Sequence, residues 1–257
     1  MRLMISPAKK MIVDTDTAPC QGMPVCLEKT KYLMEYIKGL SLSQCKTIWK
    51  CSDSLAELNY RRFQKMDLTQ AQTPALLAYE GIQYQYLAPR VLEEQALAYL
   101  QEHLRILSGF YGILRPFDAV VPYRLEMQAR LGGEELDSLY SYWGELIAKH
   151  MFCQETQILN LASREYSKCV LPYLKKRTDI RCVTCVFGEE KEQKVIEKGT
   201  LAKMARGEMV RYLARRQAAD LEEAKGFDRL GYRFCEAYSD QDTWVFLKQK
   251  QKTGKTT

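Results

Sequence analysis

The stretch from His103 to Met127, HLRILSGFYGILRPFDAVVPYRLEM, combines glycines and basic side chains in a pattern that suggests chemistry. The spacing predicts the end of a helix, a tight turn bracketed by Gly109 and Gly112, a second short helical piece and a basic loop. Backbone N–H groups of such a turn, with cations beside it, would bind a phosphate. The alternative is a buried corner in which the glycines serve packing. The arginines of this stretch are Arg105, Arg115 and Arg124.

Polar side chains also follow two predicted strands at the points where those strands end. Lys9 comes just after the strand predicted over Met1–Ile5, and Ser163 follows the strand predicted over Gln157–Leu161. Parallel α/β sheets bind ligands beyond the carboxyl ends of their strands. The sequence therefore predicts a ligand site near Lys9 and the segment Asn160–Lys168, although a single lysine there is also typical of a solvated loop.

A helix predicted over Thr200–Gln217 separates basic from apolar side chains, because successive residues are turned by ~100°. Its basic half contains Lys203, Arg206, Arg211 and Arg215, and Gly207 lies near its centre. A helical Gly costs roughly 1 kcal/mol relative to Ala, so we expect another backbone or a ligand to approach closely there. The basic half is either a solvated surface or part of an anion-binding face. Upstream basic residues of that face would be Lys168, Lys175, Lys176, Arg177 and Arg181.

Composition and charge place limits on the class of protein. The chain has 257 residues, with 46% hydrophobic and 27% charged residues and a formal net charge of +6, which mildly favours anionic partners. No run approaches the ~20 apolar residues that span a membrane, and the N-terminus lacks the features of a signal peptide. The nine cysteines are scattered and odd in number. We therefore expect a cytoplasmic protein without disulfides or a membrane partner.

Metal-binding and nucleophile motifs are scarce. Cys182 and Cys185 form a C-x-x-C, but on the strand predicted over Asp179–Phe187 they would point to opposite faces. The histidines are His103 and His150 alone, and the sequence contains no Walker A, G-x-G-x-x-G or G-x-S-x-G motif. We predict no metal and no cofactor. An enzyme acting through Lys, Tyr, Glu or Asn stays an alternative.

Helical and strand patterns alternate along residues 1–248, and no shift in composition marks a second domain. The tail over 249–257 is polar and basic, and we predict that it is disordered. The other predicted elements are helices over Glu28–Leu40, Leu42–Lys50, Ser54–Lys65, Val91–Leu107 and Ser138–Phe152, an antiparallel partner for the Asp179 strand over Lys191–Glu197, and a hairpin over Gly226–Lys248. The pattern over Ala75–Leu87 is ambiguous and is compatible with a helix, a turn and a second helix.

Six segments of the chain together resemble a known family. They are ISPAK (Ile5 to Lys9), SDSLAELNYRRF (Ser52 to Phe63), the opening stretch (His103 to Met127), LYSYWG (Leu139 to Gly144), NLASREYSK (Asn160 to Lys168) and KMARGEMVRY (Lys203 to Tyr212). In this order they resemble the YaaA family, the bacterial peroxide-stress proteins. The resemblance extends over nearly the entire chain.

The resemblance implies a cytoplasmic, single-domain α/β protein with a mixed sheet surrounded by helices, in a fold particular to the family. It further implies a helix-hairpin-helix-like element, a positively charged cleft, binding to double-stranded DNA, and a role in the oxidative-stress response that limits intracellular iron. One segment departs from the family. Gly81–Leu87 lacks the Asp and the second Gly of the pattern G-D-V-Y-x-G-L, so no role of that acid is carried over.

The first functional hypothesis is a DNA-binding stress protein. The turn formed by Ser108, Gly109 and Gly112 would donate backbone N–H groups to phosphates. Without an evident base-reading element, binding should be independent of sequence and fall steeply with salt. The cations that would neutralise the DNA backbone are Lys9, Arg105, Arg115, Arg124, Lys203, Arg206 and Arg211.

The second hypothesis is an enzyme acting on a nucleotide or a damaged base. Lys9 or Lys168 would be its acid, base or nucleophile, with Glu126 or Glu165 as an acidic partner. Asn160 and Ser163 would complete the pocket. Enclosure of Lys9, Arg124, Glu126, Ser163 and Lys168 in one deep pocket would favour the enzyme. An open basic groove that admits a duplex would favour binding alone.

Overall fold

The computed structural model describes residues 1–132, 136–153, 156–174 and 177–249. The predictions for Lys175, Lys176 and the tail beyond Gln249 lie outside the described residues. Within them, no helix has both the length and the apolar content needed to cross a bilayer.

One mixed sheet forms the centre of the fold. The strands of the chain are β1 Arg2–Ile5, β2 Lys10–Met11, β3 Thr73–Pro74, β4 Tyr79–Glu80, β5 Leu104–Ser108, β6 Gly112–Leu114, β7 Ala119–Val120, β8 Gln157–Asn160, β9 Arg181–Lys191, β10 Lys194–Ile196, β11 Tyr232–Phe234 and β12 Thr243–Lys248. The strand order of the main sheet is β11-β12-β9-β8-β1-β5-β6, and β10 pairs with β9. The inner strands β12, β9, β8, β1 and β5 run parallel, whereas β11, β10 and β6 are antiparallel to their neighbours.

Helices lie between these strands along the chain, which confirms the predicted α/β class. Two small antiparallel pairs, β2 with β4 and β3 with β7, lie outside the main sheet. The predicted antiparallel partners β9–β10 and β11–β12 are confirmed. The helices are α1 Leu27–Lys38, α2 Leu42–Trp49, α3 Asp53–Gln64, α4 Ala75–Ala78, α5 Ile82–Leu87, α6 Glu94–His103, α7 Leu139–Trp143, α8 Leu146–Phe152, α9 Arg164–Ser167, α10 Leu171–Leu174 and α11 Gly199–Arg216.

The N-terminal strand lies in the middle of the sheet, as its apolar run allows. All residues of β1 are buried, and Leu3, Met4 and Ile5 are fully inaccessible. A parallel strand that is covered on both faces has this continuous apolar character. β1 pairs with β8 on one side and β5 on the other, so the loops that follow β1 and β8 leave the sheet side by side.

The helix predicted over Val91–Leu107 is too long. It ends at His103, and Leu104–Ser108 is strand β5, whose residues are all buried and pair with β1. Leu104 and Leu107 continue the helical spacing of the preceding leucines, so periodicity alone favoured a helix. Leu104–Ser108 forms a strand because its five residues are buried inside the sheet. Their backbone N–H and C=O groups find hydrogen-bond partners on β1 and β6.

The predicted second helical piece of the opening stretch is also a strand. β6 turns back antiparallel on β5, with Ser108 opposite Gly112. The corner predicted from two helical pieces is therefore a β-hairpin at the edge of the main sheet. The helix predicted over Ser138–Phe152 is likewise divided into α7 and α8, with Gly144 at φ +50° ending α7.

Helix α11 packs closely on α5. A Cβ atom at Gly207 would lie 2.0 Å from the backbone oxygen of Gln83 and 3.0 Å from the nitrogen of Leu87. The close approach expected at this glycine is therefore confirmed, and it comes from the α5 backbone. This contact fixes the N-terminal half of α11, which contains Lys203 and Arg206, beside the start of α5.

Candidate functional site

A pocket of about 410 Å³ opens where β1 and β8 end. Its walls are the loop after β1, the first residues of α5, the extended segment after β7, the start of α9 and the N-terminal half of α11. Five basic side chains and three carboxylates line it. These charged residues are Lys9, Lys10, Glu80, Arg124, Glu126, Glu165, Lys203 and Arg206.

Ser6 joins the walls of the pocket. Its hydroxyl donates to Ser163 Oγ (3.1 Å) and accepts from the Ser163 backbone N–H (2.8 Å). Its carbonyl oxygen accepts from Gln83 Nε2 (3.3 Å) and from the Tyr84 hydroxyl (3.1 Å). The loop after β1 is therefore tied both to the start of α9 and to α5, which gives the pocket a floor with defined geometry.

Glu126 lies between two cations of the pocket. Its Oε2 is 2.7 Å from Lys9 Nζ, and its Oε1 is 3.1 Å from Arg124 Nη2. The side chains of Arg124 and Glu126 are 11% and 17% exposed, whereas that of Lys9 is 64% exposed. Arg124 is therefore held inside the pocket, and Lys9 is at its mouth.

Arg206 enters the pocket from α11. Its Nη2 is 3.2 Å from Glu197 Oε1, and its side chain is 13% exposed. Burial lowers the pKa of Arg206, an effect that Glu197 opposes. Within the described part of the chain, Arg206 Nε and Arg124 Nε are both buried and have no hydrogen-bond partner. Buried N–H donors are almost always paired, so two unpaired guanidinium donors at one pocket indicate a place for an anion.

Glu165 has different surroundings from Glu126. It is half-buried, and its Oε1 accepts from the Gln128 backbone N–H (3.3 Å). Burial raises its pKa most strongly and the charge of Glu126 adds to this, while the Gln128 N–H and Lys9 act in the opposite direction. Among the carboxylates of the pocket, Glu126 is thus paired with two cations, whereas burial raises the pKa of Glu165. Environments that separate two acids in this way are typical of acid–base sites.

Neutral phenols form the apolar side of the pocket. Burial raises the pKa of Tyr123 to about 12 and that of Tyr84 and Tyr166 well above the usual value. The Tyr123 hydroxyl lies 2.8 Å from the Tyr79 hydroxyl and 2.6 Å from Ser108 Oγ. These rings add apolar surface to the lining, and the hydroxyls of Tyr84 and Tyr123 bond within the protein.

Comparison with known proteins places the chain in a family. The family model described as peroxide stress protein YaaA matches residues 1–238. The chain belongs to this family. A UPF0246 protein from Lachnoclostridium phytofermentans is similar, with 52% identity over 248 residues that cover 96% of each chain. Another from Pediococcus pentosaceus is 49% identical over 250 residues, which cover 97% of this chain and 99% of the relative.

Membership in the YaaA family supports a role in peroxide stress. The pocket brings together many of the residues that the sequence singled out from distant positions. From the nucleic-acid hypothesis it contains Lys9, Arg124, Lys203 and Arg206, and from the enzyme hypothesis it contains Glu126, Ser163 and Glu165.

Other predicted site residues of this YaaA-family chain lie away from the pocket. Lys168 is exposed and does not line it. Asn160 is 1% exposed, and its side chain bonds to Thr184 Oγ1 (3.1 Å) and the Ala162 N–H (3.0 Å), so its role is structural. Arg211 is half-buried on α11 outside the pocket.

The turn of the β5–β6 hairpin is buried. Ser108 is fully inaccessible, and its hydroxyl accepts from the N–H groups of Phe110 (3.2 Å) and Tyr111 (2.8 Å). A Cβ atom at Gly109 would lie 2.5 Å from the Leu125 oxygen. These amide groups face the protein interior and are already bonded there, so they do not point towards a phosphate in solvent. The glycines of the opening stretch therefore serve packing, which is the alternative interpretation.

The remaining members of the predicted DNA-binding set differ in exposure. Gly112, at φ +74°, packs against Trp143, where an added Cβ atom would lie 2.9 Å from the ring. Arg105 is 8% exposed and donates to backbone carbonyl groups at the end of α6, including that of Glu102 (3.1 Å). Arg115 is exposed and does not line the pocket.

Sequence reasoning missed the contribution of α5 and its preceding residues. Glu80, Ile82, Gln83 and Tyr84 line the pocket. The available signal was the departure of Gly81–Leu87 from the YaaA pattern, because this segment forms a wall of the site. Its closeness to Lys9 depends on long-range packing and leaves no local sequence pattern.

Proposed function

We propose that this protein binds a nucleotide in the pocket, with the nucleotide phosphate held by Arg124 and Arg206, as part of the response to peroxide stress. The observation that carries the proposal is the pair of buried, unpartnered Nε atoms at one pocket among the described residues. A phosphate would accept hydrogen bonds from both guanidinium groups and so satisfy them. Lys9 and Lys203 would add positive charge at the mouth.

Size and lining favour a nucleotide over a bare inorganic anion. The volume of about 410 Å³ falls in the range of roughly 300–1,000 Å³ that is usual for small-molecule sites. Ile82, Leu125 and the rings of Tyr84, Tyr123 and Tyr166 provide apolar surface for a base. The basic side chains of the lining suit the phosphate of a nucleotide, and the apolar side chains suit its base.

The second candidate is binding to double-stranded DNA, and it is compatible with the first. Lys9 is 64% exposed and Lys203 is exposed, and both line the pocket where it meets solvent. A duplex is too wide to enter, but one nucleotide swung out of a strand fits a pocket of this size. The nucleotide would then come from DNA, and the exposed lysines would contact flanking phosphates.

The link to iron limitation stays a prediction of the family resemblance. Among residues 1–132, 136–153, 156–174 and 177–249, no group of three or more His, Cys, Asp or Glu side chains is arranged to hold a metal ion. The proposal therefore assigns no iron-binding residue.

Calorimetric titration tests the proposal. The full chain is titrated with a deoxynucleoside monophosphate, with the matching nucleoside, and with a short duplex, each at low and physiological salt. We expect the monophosphate to bind and the nucleoside to bind at least ~10-fold more weakly, because loss of charge-assisted hydrogen bonds removes about 1.5–3 kcal/mol. Absence of monophosphate binding, or equal affinity for the nucleoside, contradicts the proposal.

A further inference from the structure

The two acids of the pocket, Glu126 and Glu165, come from different parts of the chain and meet there. Both carboxylate oxygens of Glu126 are paired, Oε2 with Lys9 Nζ at 2.7 Å and Oε1 with Arg124 Nη2 at 3.1 Å. Glu165 lies at the start of α9, and the charge of Glu126 acts on it across the pocket. The proposed binding of a nucleotide does not by itself require either acid.

We propose that these acids hydrolyse the N-glycosidic bond of the bound nucleotide, with Glu165 as the proton donor to the departing base and Glu126 as the stabiliser of the cationic sugar. The inference rests on the proposed function, because it requires a nucleotide whose phosphate is held by Arg124 and Arg206. The usual machinery for cleaving glycosidic bonds is a pair of carboxyl groups, one that donates a proton and one that stabilises or attacks the sugar.

The position of Glu126 relative to Arg124 supports this assignment. Arg124 bonds to Glu126 through Nη2, and its Nε is buried without a partner among the described residues. The proposed phosphate would bind this same guanidinium. The guanidinium then lies between the two anions. A carboxylate next to a phosphate repels further negative charge and favours positive charge, so it suits the sugar, whose C1′ becomes cationic as the glycosidic bond breaks.

The surroundings of Glu165 suit a proton donor. Burial is the largest influence on this side chain and raises its pKa, and Glu126 adds to that effect. A raised pKa favours the protonated carboxyl, which is the form that gives a proton to a leaving group. The charged and titratable groups that face Glu165 are Lys9, Glu126, Tyr140 and Tyr166.

The reaction is a hydrolysis and needs only water as co-reactant. The bond between C1′ and the base nitrogen breaks, and its electron pair stays on that nitrogen, which takes the proton of Glu165. A water oxygen forms the new bond to C1′, and the proton that this water loses returns to the Glu165 carboxylate. The products are the free base and a sugar phosphate, and the enzyme regains its starting protonation state.

The test measures release of free base by chromatography from deoxynucleoside monophosphates, from an oxidised purine nucleotide, and from the same nucleotides within single-stranded and duplex DNA. We expect release by the unmodified protein, with a rate that falls as the pH rises through the pKa of Glu165. Glu165→Gln keeps an acceptor for the Gln128 N–H (3.3 Å in the parent), so the site should retain its shape. It should lower kcat by about 10²–10⁴-fold and leave nucleotide affinity nearly unchanged.

Glu145→Gln is the matched control, because this glutamate forms an exposed pair with Lys149 (3.1 Å) outside the pocket. It should leave the rate unchanged. Bound nucleotide without base release from any of these sources overturns this inference and leaves the proposed function standing, whereas absence of binding overturns the proposed function. If Glu165→Gln releases base at the same rate as the parent, Glu165 is not the proton donor. If that variant does not fold, a pH-independent rate of the unmodified protein overturns the same assignment.

Discussion

Arg124 and Glu126 are two residues apart on the segment that follows β7, and Arg124 Nη2 lies 3.1 Å from Glu126 Oε1. The same guanidinium has a buried Nε atom without a partner among the described residues. Glu126 thus fixes the orientation of Arg124 but leaves its Nε donor unpaired. Pre-oriented donors lose little side-chain entropy on binding, so this pair is suited to hold a phosphate.

The close packing of α11 on α5 can be tested at Gly207. Gly207→Ala would place a Cβ atom 2.0 Å from the Gln83 oxygen, so the helices must separate. We expect a loss of about 1–3 kcal/mol in the free energy of unfolding, measured by urea denaturation, together with weaker nucleotide binding. Gly199→Ala is the control, since nothing lies within 4 Å of a Cβ atom at that end of the same helix. Equal stability of the two variants would contradict the packing argument.

Asp118 should make stability depend on pH. Burial raises its pKa from 3.8 to about 6, although the Arg115 N–H and two arginines oppose this. Because the folded-state pKa is the higher one, its stabilising contribution is complete below about pH 3.8 and is lost as the pH rises through about 6. The loss amounts to about 3 kcal/mol by the pKa difference.

Asp118→Asn should remove that dependence. The amide oxygen still accepts from the Arg115 N–H, which is 2.8 Å from Asp118 Oδ2 in the parent. We expect the variant to gain stability relative to the parent above pH 6, with the difference shrinking towards pH 4, as measured by denaturant unfolding at each pH. Asp16→Asn, at an exposed aspartate, should leave the pH profile of the parent unchanged. A constant difference between Asp118→Asn and the parent at all pH values would contradict this account.

If DNA is the source of the nucleotide, the exposed Lys203 at the pocket should contribute to affinity. Lys203→Ala should weaken binding to a random duplex and reduce the slope of log affinity against log salt by about 1. Lys168→Ala is the matched control, because Lys168 is exposed but lies outside the pocket. Fluorescence anisotropy across a salt series measures both slopes. Identical slopes for the two variants would exclude the pocket mouth as the DNA contact.

The location of the site was predictable in part from the sequence. Lys9 and Ser163 follow apolar strands, and the carboxyl ends of parallel strands meet at one edge of a sheet. The pairing of β1 with β8 brings these residues together, as the hydrogen bond from the Ser163 N–H to Ser6 Oγ (2.8 Å) demonstrates. Local patterns were sufficient here because each strand is short, apolar and ended by polar residues.

The β5–β6 hairpin was not predictable in the same way. Leu104 and Leu107 continue the leucine spacing of α6, and only pairing with β1 makes Leu104–Ser108 a strand. The buried state of Ser108 likewise depends on Tyr123, whose hydroxyl lies 2.6 Å away although it is 15 residues along the chain. When distant residues determine which side chains are buried, the local sequence has no periodic pattern that reveals it. Glycines and arginines that serve packing in this hairpin therefore resembled a phosphate-binding turn.

The central claim is that the unpaired guanidinium donors of Arg124 and Arg206 bind the phosphate of a nucleotide. Calorimetric titration of Arg124→Lys and Arg206→Lys with a deoxynucleoside monophosphate tests it most directly, since lysine keeps the charge but lacks the Nε donor. Arg215→Lys, at an exposed position of the same helix as Arg206, is the control. We predict that each pocket variant binds about 10–100-fold more weakly than the parent, by the loss of one charge-assisted hydrogen bond, while Arg215→Lys binds as the parent does. Parent-like affinity in both pocket variants would contradict the claim.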